Sequence, residues 1–105
     1  MIHYIVLCKL AENVGSDRLD DLVRSARSQL LQIPSVLQVR AGKRIDDAND
    51  WEFFYSVDCE SKDKFAMYRE DPIQVKFFES LVRPSTGERM ELLYELEPGK
   101  DIRYS

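Results

Sequence analysis

Histidine occurs once in this chain, at His3. A single imidazole excludes most histidine-built metal centres, and no HxxxH or Ser-His-Asp arrangement is available. Cysteine is nearly as scarce: Cys8 and Cys59 stand far apart with no CxxC, so neither a zinc ribbon nor a redox pair is expected, and both are read as reduced, packed thiols. With only four glycines there is no glycine-rich phosphate loop. Asp46, Asp47 and Asp50 lack the spacing and the following Gly and Glu of a calcium loop, which makes them a solvated turn. No metal and no cofactor are therefore expected.

Long apolar runs are missing as well. The opening MIHYIVLCKL is shorter than the ~20 residues of a membrane span and carries no cationic stretch ahead of it, so no membrane association and a cytoplasmic location are expected. Basic charge is in deficit: 15 Lys and Arg against 19 Asp and Glu leave a net charge of −4, without the basic stripe that nucleic-acid binding needs.

What is present is a soluble globular composition, 44% hydrophobic and 32% charged over 105 residues, enough for one modest core. Periodicity supplies the elements. Ile2 to Leu10 reads as a strand apolar on both sides, with Ile2, Tyr4, Val6, Cys8 and Leu10 alternating against His3, Ile5, Leu7 and Lys9. Ser16 is a plausible N-cap for a helix carrying Leu19, Leu22, Val23, Ala26 and Leu30 at helical spacing, stopped by Pro34. Val36 to Ala41 reads as a second strand. A third carries Trp51, Phe53, Tyr55, Val57 and Cys59 on one face. Ser61 caps a short helix with Phe65 and Tyr68, another helix starts at Pro72, the RPSTGE stretch breaks it, and Met90, Leu92, Tyr94 and Leu96 mark the last strand.

The order is βαββαβ, the ferredoxin-like plait: a four-stranded antiparallel sheet with both helices on one face. Residues 1–97 form the domain and 98–105 a loosely attached tail. In this topology Cys8 and Cys59 fall at opposite ends of the sheet, too far apart for a disulfide. One sheet face stays bare, yet the first strand is apolar on both sides; a second copy of the same sheet is the simplest cover, which predicts a homodimer.

Taken together, His3-Tyr4-Ile5-Val6-Leu7, Gln32-Ile33-Pro34 followed by Val36, Val39 and Gly42, the third strand leading to Glu60-Ser61, and Tyr68 three residues before Asp71-Pro72 resemble the stress-responsive A/B barrel (Dabb) domain. The resemblance implies two plaits pressed sheet to sheet into an α+β barrel. It also implies a pocket between helices and sheet, where some plant members that look like polyketide cyclases place a histidine from the start of the first strand opposite another from a Tyr-x-x-His-Pro-x-His segment. Here that segment reads Tyr68-Arg69-Glu70-Asp71-Pro72-Ile73-Gln74, with Asp71 and Gln74 at the histidine positions.

A cyclisation needs a base for a proton alpha to a carbonyl and a donor for the enolate oxygen. His3 as base and Tyr68 as donor are the catalytic candidates; His3, Tyr55, Val57, Tyr68 and Gln74 are the candidate pocket, with Trp51 as a further wall. Each has a plainer alternative. His3, Tyr55 and Trp51 fit ordinary packing, Tyr68 fits an anchor for its helix, and Asp71-Pro72-Ile73-Gln74 fits a capping box in which Asp71 accepts from the Gln74 amide and the Gln74 side chain reaches back. Two functions stay open: a dimeric protein of unassigned activity that holds a small apolar ligand, or an enzyme of cyclase, isomerase or cofactor-free oxygenase type with His3 as base.

Overall fold

The computed structural model describes residues 1–97; the expected tail lies outside them. β1 (Ile2–Leu10), β2 (Gln38–Lys43), β3 (Phe53–Cys59) and β4 (Thr86–Glu95) form one antiparallel sheet in the order β2-β3-β1-β4, which is the ferredoxin-like plait. The helices are α1 (Ser16–Leu30), α2 (Lys62–Glu70) and α3 (Pro72–Phe77). From α3 the chain continues through a π-helical turn, Phe78–Val82, into a last turn, Arg83–Ser85.

The alternation along β1 sorts its two apolar rows. Ile2, Tyr4, Val6 and Cys8 are buried with Phe53, Tyr55, Val57 and Cys59 of β3. These pack on Leu22, Ala26 and Leu30 of α1, Phe65 and Tyr68 of α2, and Phe77 and Val82 of the last helical rod. The core therefore sits between sheet and helices, and its apolar burial is the main stabilising term. His3, Ile5 and Leu7 point the other way. Their cross-strand partners share that face: Asp58, Ser56 and Phe54 on β3, and Tyr94, Leu92 and Met90 on β4. Met90 and Tyr94 are 41% and 51% exposed, so the face is apolar at its centre and uncovered by the other described residues.

Several boundaries differ from the sequence expectation. Ser16 is the first residue of α1 and not its cap; Gly15 holds that place without a side-chain hydrogen bond. β2 begins at Gln38, because Val36 is drawn into a turn, its N–H donating to Ile33 O, and buries its side chain in the core instead of pairing. The RPSTGE stretch is not a loop: Arg83 to Ser85 extend the helical rod and Thr86 opens β4. The widened turn precedes Pro84, which has no N–H to give and crowds the carbonyl four residues back. Thr86 ends the rod by donating its hydroxyl to Val82 O at 2.7 Å.

The cysteine expectation holds. Cys59 pairs with Ile2 and Cys8 with Phe53, at opposite ends of the β1–β3 ladder, and both thiols are free and buried. Gly42 is required by a close approach: a Cβ there would lie 2.9 Å from the Phe54 ring.

Candidate functional site

Tyr68 closes α2 with its side chain turned into the core. Ser61 caps that helix, accepting from the Lys64 N–H at 3.2 Å, and places Phe65 and Tyr68 one turn apart on the buried side. Their rings stack at 5.9 Å, and Tyr68 meets Tyr4 of β1 edge-on at 6.2 Å. Tyr55 and Phe77 complete the aromatic cluster, perpendicular at 5.4 Å.

The hydroxyls of this cluster are unequally served. Tyr4 donates to the Glu91 carboxylate of β4. Tyr68, only 1% exposed, has a buried hydroxyl with no hydrogen-bond partner among the described residues. Such a group costs roughly 1–3 kcal/mol. Burial raises the Tyr68 pKa well above the ordinary tyrosine value, and the nearby Tyr4 adds to the shift. Tyr4 is raised by burial first and by its bond to Glu91 second, and Tyr55 by burial. All three phenols are therefore neutral O–H donors at ordinary pH.

Of the five residues proposed for the pocket, the chain brings together Tyr55, Val57 and Tyr68 on the helix side of the sheet. His3 is not with them. It stands on the open face, hydrogen-bonded through Nδ1 to Asp58, whose other oxygen lies 3.9 Å from Arg40. The base-and-donor pair of His3 and Tyr68 is thus not assembled within one chain: the sheet separates them, and the β1 side chain that meets Tyr68 is Tyr4, one residue later. Trp51 also faces away from Tyr55. It lines an open groove of about 340 Å³ on the bare face with Leu7, Phe54, Lys43 at the end of β2 and Ile45 of the β2–β3 loop.

Gln74 is half-buried in the first turn of α3. Asp71 caps α3 as expected, but its side chain accepts from the Ile73 N–H at 2.8 Å and not from Gln74. No return bond from the Gln74 side chain is found among the described residues, so the cap is single and the box is not closed.

The sequence expectation missed Glu91 and Arg69. Glu91 pairs opposite Val6, which puts it on the helix side at the sheet edge. Arg69 reaches it at 3.6 Å and lies over the rings of Phe65 and Tyr4, at 4.9 and 5.2 Å. The alternation of Glu91 against Met90 and Leu92 was the available signal. Among the described residues no cluster of His, Cys, Asp and Glu could hold a metal ion, and no helix is long and apolar enough to cross a membrane.

The family model described as Stress Responsive A/B Barrel Domain matches residues 2–95. No curated protein matches. Among solved structures, the chain is similar to a Dabb family protein with a ferredoxin-like fold from Mesorhizobium loti, at 20% identity and a TM-score of 0.79, over 91% of this chain and 96% of that one. A dimeric ferredoxin-like protein of unknown function from Thermobifida fusca matches at 19% identity and a TM-score of 0.81, over 90% of each chain. The hydroxynitrile lyase of Passiflora edulis matches at 14% identity and a TM-score of 0.78, over 95% of this chain and 96% of that one. At these identities the likeness is one of fold.

Proposed function

The chain belongs to the stress-responsive A/B barrel family, and from that premise we propose that it works as a homodimer whose protomers each bind a small, largely apolar molecule between sheet and helices. The observation that carries this reading is the Tyr68 hydroxyl, a donor buried in aromatic surroundings without an acceptor among the described residues. Buried polar groups are nearly always paired, and an unpaired one marks a place for a ligand oxygen or a water. The ring cluster of Tyr4, Tyr55, Phe65 and Phe77 gives that oxygen an apolar frame.

The homodimer rests on the open face, where Ile5, Leu7, Phe54, Met90 and Leu92 form an apolar centre that no helix among the described residues covers. The dimeric state of the Thermobifida fusca protein agrees with it.

An enzyme with His3 as base is the second reading, favoured by the His3–Asp58 pair. A carboxylate on Nδ1 orients an imidazole as general bases are oriented. Its substrate would lie between the two sheets of the dimer, not beside Tyr68.

Titration of the isotope-labelled protein with small aryl ketones, followed by NMR, separates these readings. Saturable shifts at Tyr4, Tyr55 and Tyr68 are expected. Saturation confined to His3, Asp58 and Phe54 would move the site to the open face, and no saturation at all would remove the ligand-binding role.

A further inference from the structure

Ile45 is 98% exposed, and the β2–β3 loop that carries it is braced by its own polar groups. The backbone N–H of Arg44 donates to Glu52 O at 2.9 Å and closes the loop. Within it, the Arg44 guanidinium donates to Asn49 O, the Asn49 side chain accepts from the Trp51 backbone N–H at 2.8 Å, and Asp46 accepts from the Ala48 N–H at 3.0 Å. A solvated turn accounts for the aspartates of this loop. It does not account for an isoleucine held out in water beside a groove.

That groove, about 340 Å³ in volume, is at the small end of the ~300–1,000 Å³ usual for ligand sites. Leu7, Phe54, Trp51 and Ile45 make its apolar lining. Leu7 and Phe54 pair one row beyond Ile5 and Ser56, so the groove runs from the end of the sheet onto the loop; Ile5, Leu92 and His3 do not line it. Lys9 lies over the Trp51 ring at 4.9 Å and is tied to Glu88 at 3.0 Å, which holds the indole in place. The charges that line the groove are unequally engaged. Lys43 donates to Asp20 at 3.0 Å, and Asp46 is turned to the Ala48 N–H of its own loop. Arg44 meets only the neutral Asn49 carbonyl, and no carboxylate among the described residues pairs with it. In a chain of net charge −4, a guanidinium is thus left with N–H donors to spare beside an apolar groove, the complement of a carboxylate on an apolar body.

We propose that this groove is a binding site for a small aromatic monocarboxylate, with the ring of the ligand against Trp51 and Phe54 and its carboxylate on Arg44. The two aromatic side chains select a ring. Arg44 selects the charge, and Asp46 on the same lining disfavours a second anionic group. The site is on the opposite side of the sheet from Tyr68 and is independent of the ligand proposed there.

Trp51 is the one tryptophan of the chain, so its indole N–H gives a single NMR resonance in the groove. The probes are 3-phenylpropanoate and its uncharged amide, 3-phenylpropanamide, titrated into the isotope-labelled full chain. The wild type is expected to show saturable shifts at Trp51, Leu7 and Phe54 and to bind the acid about 5- to 10-fold more tightly than the amide, the size of one charge-assisted contact at an open site. Arg44→Gln is expected to remove that preference while leaving the affinity for the amide within about twofold, and Arg44→Lys to keep part of it, because the charge survives without the fork. Trp51→Leu, read at Leu7 and Phe54, is expected to weaken acid and amide together. Equal affinity of the wild type for acid and amide, or an acid preference that persists in Arg44→Gln, would overturn the proposal. So would shifts at Tyr4, Tyr55 and Tyr68 with none at Trp51, a result that leaves the site between sheet and helices intact. A wild type that binds neither probe would overturn it as well. In that case binding by Leu92→Glu, which charges the open face against association, would make a second copy of the chain the occupant of the groove.

Discussion

The rings of Tyr4 and Tyr68 meet edge-on at 6.2 Å, yet only the Tyr4 hydroxyl, bonded to Glu91, has a partner among the described residues. Two phenols in one apolar cluster are thus treated differently. The difference is energetic: one is satisfied on folding, while the other gives up its water and receives nothing from the described residues.

Tyr68→Phe removes the unpaired hydroxyl and keeps the ring that stacks on Phe65. The variant is expected to be more stable than the wild type by about 1 kcal/mol, since no bond is lost and a desolvation penalty disappears. Equilibrium urea unfolding measures this directly. A loss of stability would mean that the hydroxyl has a partner within the folded protein.

The cap of α3 gives predictions of different size for two residues of its first turn. Asp71 accepts from the Ile73 N–H, so Asp71→Ala is expected to cost about 1 kcal/mol of stability. Gln74 returns no bond among the described residues, so Gln74→Ala is expected to cost less than about 0.5 kcal/mol. Denaturant midpoints of the two variants check the pair.

The open face predicts how association responds to charge. Leu92 lies opposite Ile5 at the centre of that face and outside the helix-side core. Leu92→Glu places two like charges against each other across a two-fold axis without disturbing the protomer. Sedimentation at micromolar concentration is expected to give a dimer for the wild type and a monomer with an unchanged far-ultraviolet dichroism spectrum for the variant.

Alkaline pH is expected to destabilise the protein through its thiols. Burial pushes Cys8 from the ordinary 9.0 up to about 12 and Cys59 up to about 11. The unfolded chain releases these protons first, so the stabilising effect of holding them is complete below about pH 9 and is lost as pH rises toward the folded values. Urea midpoints measured across that range are expected to fall, and to fall less in the double variant Cys8→Ala, Cys59→Ala. The tyrosines, shifted in the same direction, supply the remainder.

The plait was legible because its signals are periodic. Alternation in β1 and β3, the apolar stripe of α1, and the Ser61 and Asp71 caps all lie where local pattern and tertiary packing agree. The site was legible only in part. β1 is apolar on both sides, so alternation identifies two rows but not which of them faces the helices. His3 and Tyr4 are adjacent, and choosing between them is a choice of face. The resemblance, and the lack of any other histidine, drew the expected base to His3, while the side chain that reaches Tyr68 is Tyr4. Glu91 and Arg69 were hidden for another reason. A charge at a sheet edge and one at a helix end read as solvated residues until the fold brings them together over two rings.

The measurement that bears most directly on the central claim is the affinity of the wild type and of Tyr68→Phe for the same aryl ketone, read by calorimetry. If the hydroxyl is held unpaired for a ligand oxygen, Tyr68→Phe should bind about 3- to 10-fold more weakly while folding more stably. Equal affinity in the two proteins would contradict the account and leave Tyr68 as a packing residue.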